Sequence, residues 1–467
     1  MAPRVVMSAR LTINFVTPLP PAATDIANHA AHVLPLLAEL CDLTVWTPNE
    51  RWLPIKGVRV LRLDRSADCA SLNAADMTFF DAGNNPRFHA EIFRLARRVP
   101  GVVILHDTVL QHFFAGLTKR STRARFRYLS DMARYFGPAG LQAAQDYFSA
   151  RISIEELAER YPLFEPFIDA ALAAVIHDGS QQETMQARTV VPIMPIPLSY
   201  QPRGLIAPME RAAAAPYTLI MFGYMGSNRR VASILNALAS FADRAQFRLE
   251  IYGKLHYAKE VQALVSNLGL ADLVTLKGWV EEAELEAALA RAHLAINLRY
   301  PSMGEVSGSQ LRLWSHALPA LVTRTGWYAT LPDDAVFFVR PERELDDILT
   351  HLSNFLRDRQ RFAEAGRRGQ QVVRTRHQPR HYAEALVALA ANRGDLHARR
   401  ASFALTRRVS AMAERLYGAE AAGAFARQLA FHIHDLWSPA GSLTCSAGGR
   451  SAATPRSSMP ALIKRDR

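Results

Sequence analysis

The chain is poor in cysteine and contains no long apolar run. Its 467 residues include three cysteines, Cys41, Cys69 and Cys445, an odd number without the close spacing of metal ligands. Such a set argues against a disulfide framework and is typical of a reducing cytoplasm. No stretch approaches the roughly 18 apolar residues that a membrane-spanning helix needs. Leu11–Val16 is too short for the apolar core of a signal peptide and has the pattern of a strand, so we expect a cytoplasmic protein.

Sequence patterns typical of several cofactor sites are also missing. There is no Asp-x-Asp pair suited to Mg²⁺ and no His/Cys cluster suited to a transition metal. A nicotinamide-dependent oxidoreductase would carry Gly-x-Gly-x-x-Gly after its first strand, with an acidic residue about 20 positions later. Neither Thr17–Asp25 nor Gly223–Arg230 matches that motif. We therefore expect no metal and no other cofactor.

Strands and helices alternate through the first 200 residues. The amphipathic run Asp25–Leu40 predicts a helix, and the segment from Thr122 to about Ala174 has a helical pattern as well. Val102–Leu105 is wholly apolar and is expected at the centre of a sheet. Such alternation predicts a parallel sheet with right-handed crossovers. The predicted strands are Leu11–Val16, Leu43–Trp46, Val58–Leu61, Met77–Phe80 and Val102–Leu105.

A proline-rich segment divides the chain. Between Val190 and Met209, prolines stand at positions 192, 195, 197, 202 and 208, and proline is excluded from the interior of helices and central strands. After this segment the alternation of strands and helices restarts at Tyr217–Phe222 and continues to about Val339. We predict two doubly wound α/β domains, residues 1–200 and 215–378, facing a central cleft.

The C-terminal segment is strongly basic. Residues 396–467 contain eleven Lys and Arg against four Asp and Glu, within a net charge of +12 for the chain. We predict helices over 379–437 that return to the N-terminal domain, and a disordered tail over 438–467 because that composition buries little apolar surface. The first tail helix either packs on the N-terminal domain or docks on an anionic membrane. Its predicted apolar face consists of Phe403, Leu405, Val409, Met412 and Leu416.

The most informative segment is Arg299–Arg312. It lies between the apolar run Leu294–Leu298, which predicts a buried parallel strand, and a helical pattern that begins near Gln310. Small residues leave the backbone of this loop accessible, so its N–H groups and the positive end of the helix dipole can bind a phosphate. These small residues are Gly304, Ser307, Gly308 and Ser309.

Two other loops follow predicted strands of the second domain. In Gly223–Arg230, the glycines permit a tight turn and Arg229 can meet a diphosphate with two parallel hydrogen bonds. An ordinary turn with solvated arginines explains this loop equally well. Gly278-Trp279-Val280 is either a binding segment or a simple turn with Trp279 in the core.

Polar residues also follow strands of the first domain. His106 and Asp107 come directly after Val102–Leu105. A histidine at the carboxyl end of a strand can hydrogen-bond a sugar hydroxyl or stabilise developing positive charge, although a lone histidine is more often structural. His177 and Ser180 follow another apolar strand. Their position fits a functional role and a structural role equally well.

These segments together resemble the retaining glycosyltransferases of family four (glycosyltransferase group 1), which adopt the GT-B fold. Gly304-Glu305-Val306-Ser307-Gly308 is similar to the Gly-Glu-Thr-Ser-Gly core of one subgroup. Pro18-Leu19-Pro20-Pro21 with Asp25-Ile26-Ala27 resembles a family motif, as does Gly83-Asn84-Asn85 with Leu105-His106-Asp107. The resemblance covers roughly 11–391 and is strongest over 217–335.

The resemblance implies roles for individual residues of the second domain. Arg229 would neutralise the leaving nucleoside diphosphate, with Gly223 and Asn228 in the same loop, and the backbone at Gly278 and Trp279 would meet the nucleotide base. The resemblance also implies that the loop containing Gly304, Ser307, Gly308 and Ser309 binds the sugar donor, with Glu305 near the transferred sugar.

Further roles and three departures complete the comparison with the family. His106 and Asp107 would act on the acceptor side. Asp25 stands where the family has glycine, Tyr224 where it often has a second basic residue, and Arg312 where a glutamate takes the ribose hydroxyls. Since a guanidinium group only donates hydrogen bonds, we expect Arg312 to pair with Glu305 or to meet phosphate.

The implied function is retaining transfer of a sugar from a nucleotide-sugar donor to a glycan, lipid-linked or other hydroxyl acceptor, as in polysaccharide biosynthesis. No protein nucleophile and no nucleic-acid partner are expected. Peripheral contact with the inner face of a membrane would fit a lipid-linked acceptor. The alternative is a non-catalytic GT-B module that binds a sugar nucleotide or a partner, since fold alone does not determine activity and three family positions differ.

Overall fold

The structure, a computed structural model, describes residues 10–63, 69–119, 121–202, 211 and 213–417. The chain forms two compact units, Met1–Arg400 and Ala401–Arg467. Within the first unit, two parallel sheets confirm the predicted α/β class with two doubly wound domains. None of the described helices combines the length and the apolar character needed to cross a membrane.

The first sheet has seven parallel strands in the order β3-β2-β1-β4-β5-β6-β7. Alternate residues of one interior strand face opposite cores: Val102 and Ile104 pack on one side, Val103 and Leu105 on the other. Burial on both faces explains why that strand is wholly apolar. The strands are β1 Thr12–Val16, β2 Asp42–Thr47, β3 Arg59–Arg62, β4 Met77–Ala82, β5 Val102–Leu105, β6 Ala173–Ile176 and β7 Ile193–Pro195.

Helices connect these strands and cover both faces of the sheet. The connecting helices are α1 Asp25–Leu40, α2 Cys69–Asn73, α3 Pro86–Ala96, α4 Gln111–Thr118, α5 Thr122–Phe148, α6 Ile154–Arg160, α7 Glu165–Ile168 and α8 Gln182–Gln186. The prediction of one helical stretch to about Ala174 was wrong in detail. The stretch kinks at Gly137-Pro138 inside α5, breaks again before α6 and α7, and enters β6 at Ala173.

The second sheet has six parallel strands in the order β10-β9-β8-β11-β12-β13. Its strands are β8 Tyr217–Phe222, β9 Phe247–Tyr252, β10 Val274–Gly278, β11 Leu294–Asn297, β12 Ala320–Thr323 and β13 Phe337–Val339. The helices that follow them are α9 Val231–Ser240, α10 Ala258–Asn267, α11 Glu282–Arg291, α12 Gly308–Ser315, α13 Glu344–Arg357 and α14 Arg359–Arg376.

Each sheet has one point at which the strand order reverses. In the first sheet the strands that follow β1 are added on one side of it, and those that follow β4 are added on the other side. In the second sheet the same reversal lies between β8 and β11. The loops that leave two such strands diverge, and the crevice between them is where open α/β sheets bind ligands. The loops of the strongest sequence motifs, after β8 and β11, flank the reversal point of the second sheet.

After α14 the chain returns to the first sheet. Helix α15, Pro379–Ala391, places Tyr382 and Leu386 in the same core as Phe15 of β1. The junction before it is tied to the inter-sheet linker, because His377 Nδ1 donates to the Leu198 carbonyl at 2.6 Å. The two sheets are therefore joined both by the linker and by this returning helix.

The last described helix, α16, covers Arg393–Tyr417. Leu405, Met412 and Leu416 are exposed on it, and so is Phe403. At 100° per residue, Phe403 lies on the opposite side of the helix from Met412. The five predicted apolar residues therefore do not all lie on one face of the helix. Packing and membrane docking of this helix both stay predictions. The predicted helices over 418–437 and the disordered tail over 438–467 lie outside the described residues.

Close packing of α14 against α12 depends on a glycine and gives a test of the fold. A Cβ at Gly366 would overlap the Ala317 carbonyl oxygen, whereas a Cβ at Gly394 of α16 would meet nothing within 4 Å. We expect Gly366→Ala to lower the free energy of unfolding by about 1–3 kcal/mol through overpacking. Gly394→Ala should raise it by up to about 1 kcal/mol. Urea midpoints measure both, and a Gly366→Ala midpoint equal to that of the wild type would contradict the packing.

Candidate functional site

The candidate site lies at the reversal point of the second sheet, where the loops after β8 and β11 meet. The β8 loop turns at Gly223, whose φ of 112° is open to glycine and strained for other residues. The two loops are joined where the Tyr300 N–H donates to the Asn228 carbonyl at 2.8 Å. The arginine-bearing turn of one loop thus lies beside the small-residue loop of the other.

Arg229 is a buried cation. It is 3% exposed, and its guanidinium donates to Asn297 Oδ1 and to the Phe222 carbonyl, each at 3.0 Å. Burial, followed by the nearby charge of Arg299, lowers the pKa of Arg229 to about 10. Among the residues that the structure describes, Arg229 forms no ion pair, and its Nε–H has no partner. A desolvated cation held by neutral groups favours binding of an anion.

A chain of hydrogen bonds connects this arginine to the start of α12. Asn297, at the end of β11, donates to Gln310 Oε1 at 2.8 Å. The Gln310 N–H in turn donates to Ser307 Oγ at 3.0 Å, which caps the helix. The first N–H groups of a helix have no intrahelical partner, so the N–H groups of Gly308 and Ser309 are available at the helix start that this chain connects to Arg229.

Arg299 is the second cation of the site, and its side chain is partly buried. Its Nη1 lies 2.5 Å from Glu305 Oε1, and Glu305 Oε2 accepts from the Met303 N–H at 2.8 Å. Although burial acts to lower it, the Glu305 carboxylate raises the pKa of Arg299 above its usual value. Its Nε–H is buried without a partner. The hydroxyl of Tyr328 lies close enough to both arginines to affect their pKa values.

The expected pairing of Arg312 with Glu305 was wrong. Arg312 forms ion pairs with Glu282 and Glu286 of α11, and its guanidinium lies 5.6 Å from the centre of the Phe222 ring. Arg312 cannot take Glu305 because its side chain projects from the second turn of α12 toward α11. Glu305 lies before the helix and is already bound by Arg299.

The two sheets meet directly at this site. Asp107 and Glu305 form an antiparallel bridge, and the Thr108 hydroxyl lies 3.1 Å from the Gly304 carbonyl. Gly304 has a φ of 73°, and a Cβ there would overlap the Thr108 hydroxyl. A contact this close requires glycine, so the loop after β5 and the loop after β11 are shaped to fit each other.

The bridge brings carboxyl groups of both sheets together. Asp107 Oδ2 accepts from the Asn84 N–H at 2.8 Å. Burial, and next the negative charge of Glu305, raises the pKa of Asp107 to about 7; Asp25 adds a smaller effect of the same sign. Asp25 is exposed at the first turn of α1, where the helix dipole favours a carboxylate.

His106 is enclosed in a hydrogen-bonded network. Its Nε2 lies 2.9 Å from Asp81 Oδ1, and its Nδ1 lies 3.2 Å from Nε2 of His177. Both ring nitrogens are thus engaged within the first sheet, and the predicted contact of His106 with a substrate stays a prediction.

A pocket of about 330 Å³ opens beside the contact between the sheets. Both sheets contribute to its lining, which combines hydroxyl and amide groups with the ring of Tyr300. The residues that this description uses are Thr108, Ser180, Gln181, Tyr300 and Ser302. A ligand that occupied the pocket would lie next to the bridge between Asp107 and Glu305.

Gly278 and Trp279 lie apart from this group, after edge strand β10. Three strand spacings, about 14 Å, separate β10 from β11. Trp279 is 70% exposed, so the alternative that placed it in the core was wrong. Its ring lies 5.7 Å from that of Tyr224 between centroids, and Tyr224 is 51% exposed. The two aromatic side chains form an open surface at the carboxyl edge of the sheet.

Several residues of the site were missed by the sequence analysis. Asn297 and Arg299 carried a signal, because both are polar at the carboxyl end of an otherwise apolar strand. Gln310 and Tyr328 carried none, since each is one polar residue in an ordinary helical stretch. In the part of the chain that the structure describes, no three His, Cys, Asp or Glu side chains are arranged to hold a metal ion.

Comparisons with known proteins agree with this architecture. Residues 229–388 match a family model described as glycosyl transferase-like. A search of curated proteins found no match. Among solved structures, sucrose-phosphate synthase from Thermosynechococcus elongatus has a TM-score of 0.56 at 13% identity, covering 82% of this chain and 99% of that chain.

Two further solved structures are similar. HepE from Anabaena, in complex with UDP, has a TM-score of 0.54 at 12% identity and covers 82% of this chain and 100% of that chain. WaaG, a glycosyltransferase involved in lipopolysaccharide biosynthesis, has a TM-score of 0.51 at 14% identity and covers 80% of this chain and 99% of that one. At such identities the likeness concerns the fold, and the predicted GT-B fold is confirmed.

The carboxyl contact between the sheets makes stability depend on pH. The folded-state pKa of Asp107, about 7, lies above the roughly 3.9 of an unfolded aspartate. The protonated carboxyl therefore stabilises the fold fully below about pH 3.9, and this contribution is lost as the pH rises through 7. Since Asn cannot ionise, we expect Asp107→Asn to be more stable relative to the wild type at pH 8 than at pH 5.

Urea midpoints at the two pH values measure this difference. Asp243→Asn, at an exposed aspartate, serves as the control and should differ from the wild type by the same amount at both pH values. A midpoint difference for Asp107→Asn that does not change with pH would contradict the raised pKa.

Proposed function

We propose that this chain is a retaining glycosyltransferase that moves a sugar from a nucleotide-sugar donor to a hydroxyl acceptor. The observation that carries the proposal is the pair of guanidinium groups before the start of α12, Arg229 buried and Arg299 partly buried. The match of residues 229–388 to a glycosyl transferase-like family model and the GT-B fold support it. HepE binds UDP and UDP-glucose, which makes UDP-sugars the first donors to test.

In this proposal the diphosphate lies between the β8 loop and the start of α12. The positive charges of Arg229 and Arg299 attract the diphosphate, and the first N–H groups of α12 donate to the phosphate oxygens. These donors are held in place before the ligand arrives, so little reorganisation accompanies the build-up of charge on the leaving diphosphate. Positive charge from side chains and the helix start takes the part that a metal ion plays elsewhere.

The nucleoside would extend toward the edge of the sheet. The backbone at Gly278 and Trp279 would meet the base, as the resemblance implies. Arg312 cannot accept from ribose hydroxyls, but it holds the carboxylate of Glu282, which can. We therefore assign the ribose-accepting role to Glu282 instead of position 312.

Transfer would occur at the contact between the sheets. Glu305 is bound by Arg299 and by the Met303 N–H, an arrangement that holds a carboxylate as a charged neighbour of the sugar and leaves it a poor nucleophile. The acceptor oxygen bonds to the anomeric carbon on the face from which the phosphate oxygen departs. The acceptor proton passes to that leaving phosphate oxygen. The pocket lined by Thr108, Ser180 and Tyr300 gives the acceptor access to this point.

One alternative is supported by a specific observation. Both ring nitrogens of His106 have protein partners, and Arg312 stands at the family's glutamate position, as would fit a module that binds a sugar nucleotide without transferring the sugar. Binding of UDP together with neither hydrolysis nor transfer from any of a panel of UDP-sugars would favour that alternative. Turnover of one donor would exclude it.

The role of Arg229 can be measured by UDP binding. Arg229→Ala should weaken UDP binding by about 1.5–3 kcal/mol, the range for a charge-assisted hydrogen bond, or about 10- to 150-fold. Arg230→Ala is the matched control, because the guanidinium of Arg230 is bound to the Glu344 carboxylate at 2.9 Å. Isothermal titration calorimetry gives both affinities. Equal affinities for the wild type and Arg229→Ala would rule the proposed role out.

The proposal also predicts that donor chemistry needs no metal. If arginine and helix N–H groups stabilise the diphosphate, UDP binding and sugar transfer should be unchanged in excess EDTA. Initial rates with and without EDTA provide the measurement. Activity that disappears on chelation and returns with Mg²⁺ or Mn²⁺ would show that an ion supplies the charge.

A further inference from the structure

A buried carboxyl group in the first sheet is surrounded by imidazole rings. Asp81, at the end of β4, is 1% exposed. His106 and His177 follow the two neighbouring strands β5 and β6, and His29 of α1 lies against both, with ring centroids 5.5 Å and 6.3 Å away. His106 directly precedes Asp107, which forms the bridge to the second sheet.

The hydrogen bonds determine which ring nitrogens carry protons. His177 Nδ1 lies 3.0 Å from the carbonyl oxygen of Ile196, and a carbonyl only accepts, so Nδ1 of His177 carries hydrogen. Burial, and next the charge of His106, lowers the pKa of His177 to about 3, so the ring is neutral and its Nε2 is an acceptor. His106 Nδ1, 3.2 Å from that Nε2, must therefore be the donor.

The same reasoning reaches Asp81. Burial lowers the pKa of His106 to about 3. A neutral His106 with hydrogen on Nδ1 has an unprotonated Nε2, yet this Nε2 lies 2.9 Å from Asp81 Oδ1. Two acceptors at that distance repel unless a proton lies between them. The proton belongs either to Asp81 as a neutral acid or to His106 as an imidazolium.

The surroundings of Asp81 favour the neutral acid. Asp81 Oδ2 is buried and accepts no hydrogen bond of normal geometry, since the nearby Thr17 hydroxyl donates to the Pro18 carbonyl at 3.1 Å. Such a position is far more costly for a carboxylate than for an uncharged acid. Burial is the largest influence on the pKa of Asp81 and raises it, while Thr17, His29, His89 and His177 oppose the rise only in part.

The neighbouring groups supply little positive charge. His89 of α3 contacts the Asp81 backbone carbonyl through Nδ1 at 3.2 Å, and burial lowers the pKa values of His29 and His89. His377 and the buried Tyr382 also face the cluster. Tyr382 carries no positive charge in either of its protonation states. Burial lowers the pKa of His377, which favours the neutral form of that ring.

We infer that Asp81 is a neutral acid that donates its proton to His106 Nε2 and acts as a positioning residue. The resulting relay runs from Asp81 through His106 and His177 to the Ile196 carbonyl, with every donor and acceptor in one direction. It joins the ends of β4, β5 and β6 to the start of the linker. By fixing the His106 ring, it holds the adjacent Asp107 opposite Glu305. The inference stands on hydrogen bonds within the first sheet and is independent of the proposed function.

Nitrogen-15 NMR of histidine-labelled full-length protein tests the relay. The chain has 15 histidines, and comparison with His106→Gln assigns the ring of interest. We expect a neutral His106 with hydrogen on Nδ1 and an unprotonated Nε2, unchanged from pH 5.5 to pH 8.5. An imidazolium at His106 in this range, or hydrogen on Nε2 of a neutral ring, would overturn the inference. The titration uses the wild-type chain and so does not depend on a variant folding.

Two substitutions separate positioning from packing. Asp81→Asn keeps a donor, because its amide can give hydrogen to His106 Nε2, and we expect the wild-type His106 spectrum and a melting temperature within about 2 °C of the wild type. Asp81→Ala removes the donor and should change the His106 signals and lower the melting temperature by several degrees. Wild-type His106 signals in Asp81→Ala, or an imidazole spectrum in Asp81→Asn that differs from the wild type, would show that Asp81 does not donate to His106 Nε2.

Discussion

Two guanidinium groups, one buried and one partly buried, lie at the carboxyl ends of β8 and β11, and the candidate site is organised around them. Burial lowers the pKa of Arg229, and the polar groups bonded to it are a carbonyl and an amide, so its charge is solvated by dipoles. Arg299 has a carboxylate partner in Glu305. A site with one compensated and one uncompensated cation attracts an anion and also positions it. Asn297, Gln310 and Ser307 then connect this charge to the start of α12.

The second constraint is the close approach of the two sheets. Thr108 and Gly304 touch so tightly that a side chain at Gly304 would not fit, and this contact brings Asp107 within the influence of Glu305. A carboxyl group with a pKa near 7 can gain or lose its proton in the physiological range. The charge at the junction is therefore linked to how closely the sheets approach.

The first sheet supplies the candidate site with polar side chains that are already hydrogen-bonded to one another. His106, a residue whose type and position indicated chemistry, has both nitrogens committed to Asp81 and His177. Such a network is satisfied only when each proton lies in one defined place. The loop after β5, which begins at His106, also makes the contact with the second sheet.

Much of the architecture follows from local pattern. Apolar runs between turn-forming residues located strands such as Val102–Leu105 and Tyr217–Phe222, because burial on both faces of a parallel sheet demands continuous apolar sequence. The proline-rich segment after Val190 indicated the linker for an equally local reason. The small residues from Gly304 to Ser309, between a strand and a helix, indicated an anion site.

Pairing between distant side chains was decided by the tertiary structure alone. Spacing along the chain could not show that Arg299 takes Glu305 while Arg312 turns to Glu282 and Glu286, since this depends on the direction in which α12 projects toward α11. Nor could it show that Trp279 is exposed or that Asp81 meets His106. The sequence by itself determined the two α/β domains and the loops that form the candidate site, because periodicity and turn chemistry are local. Protonation and pairing within those loops were determined by burial and by distances between strands that only folding brings together.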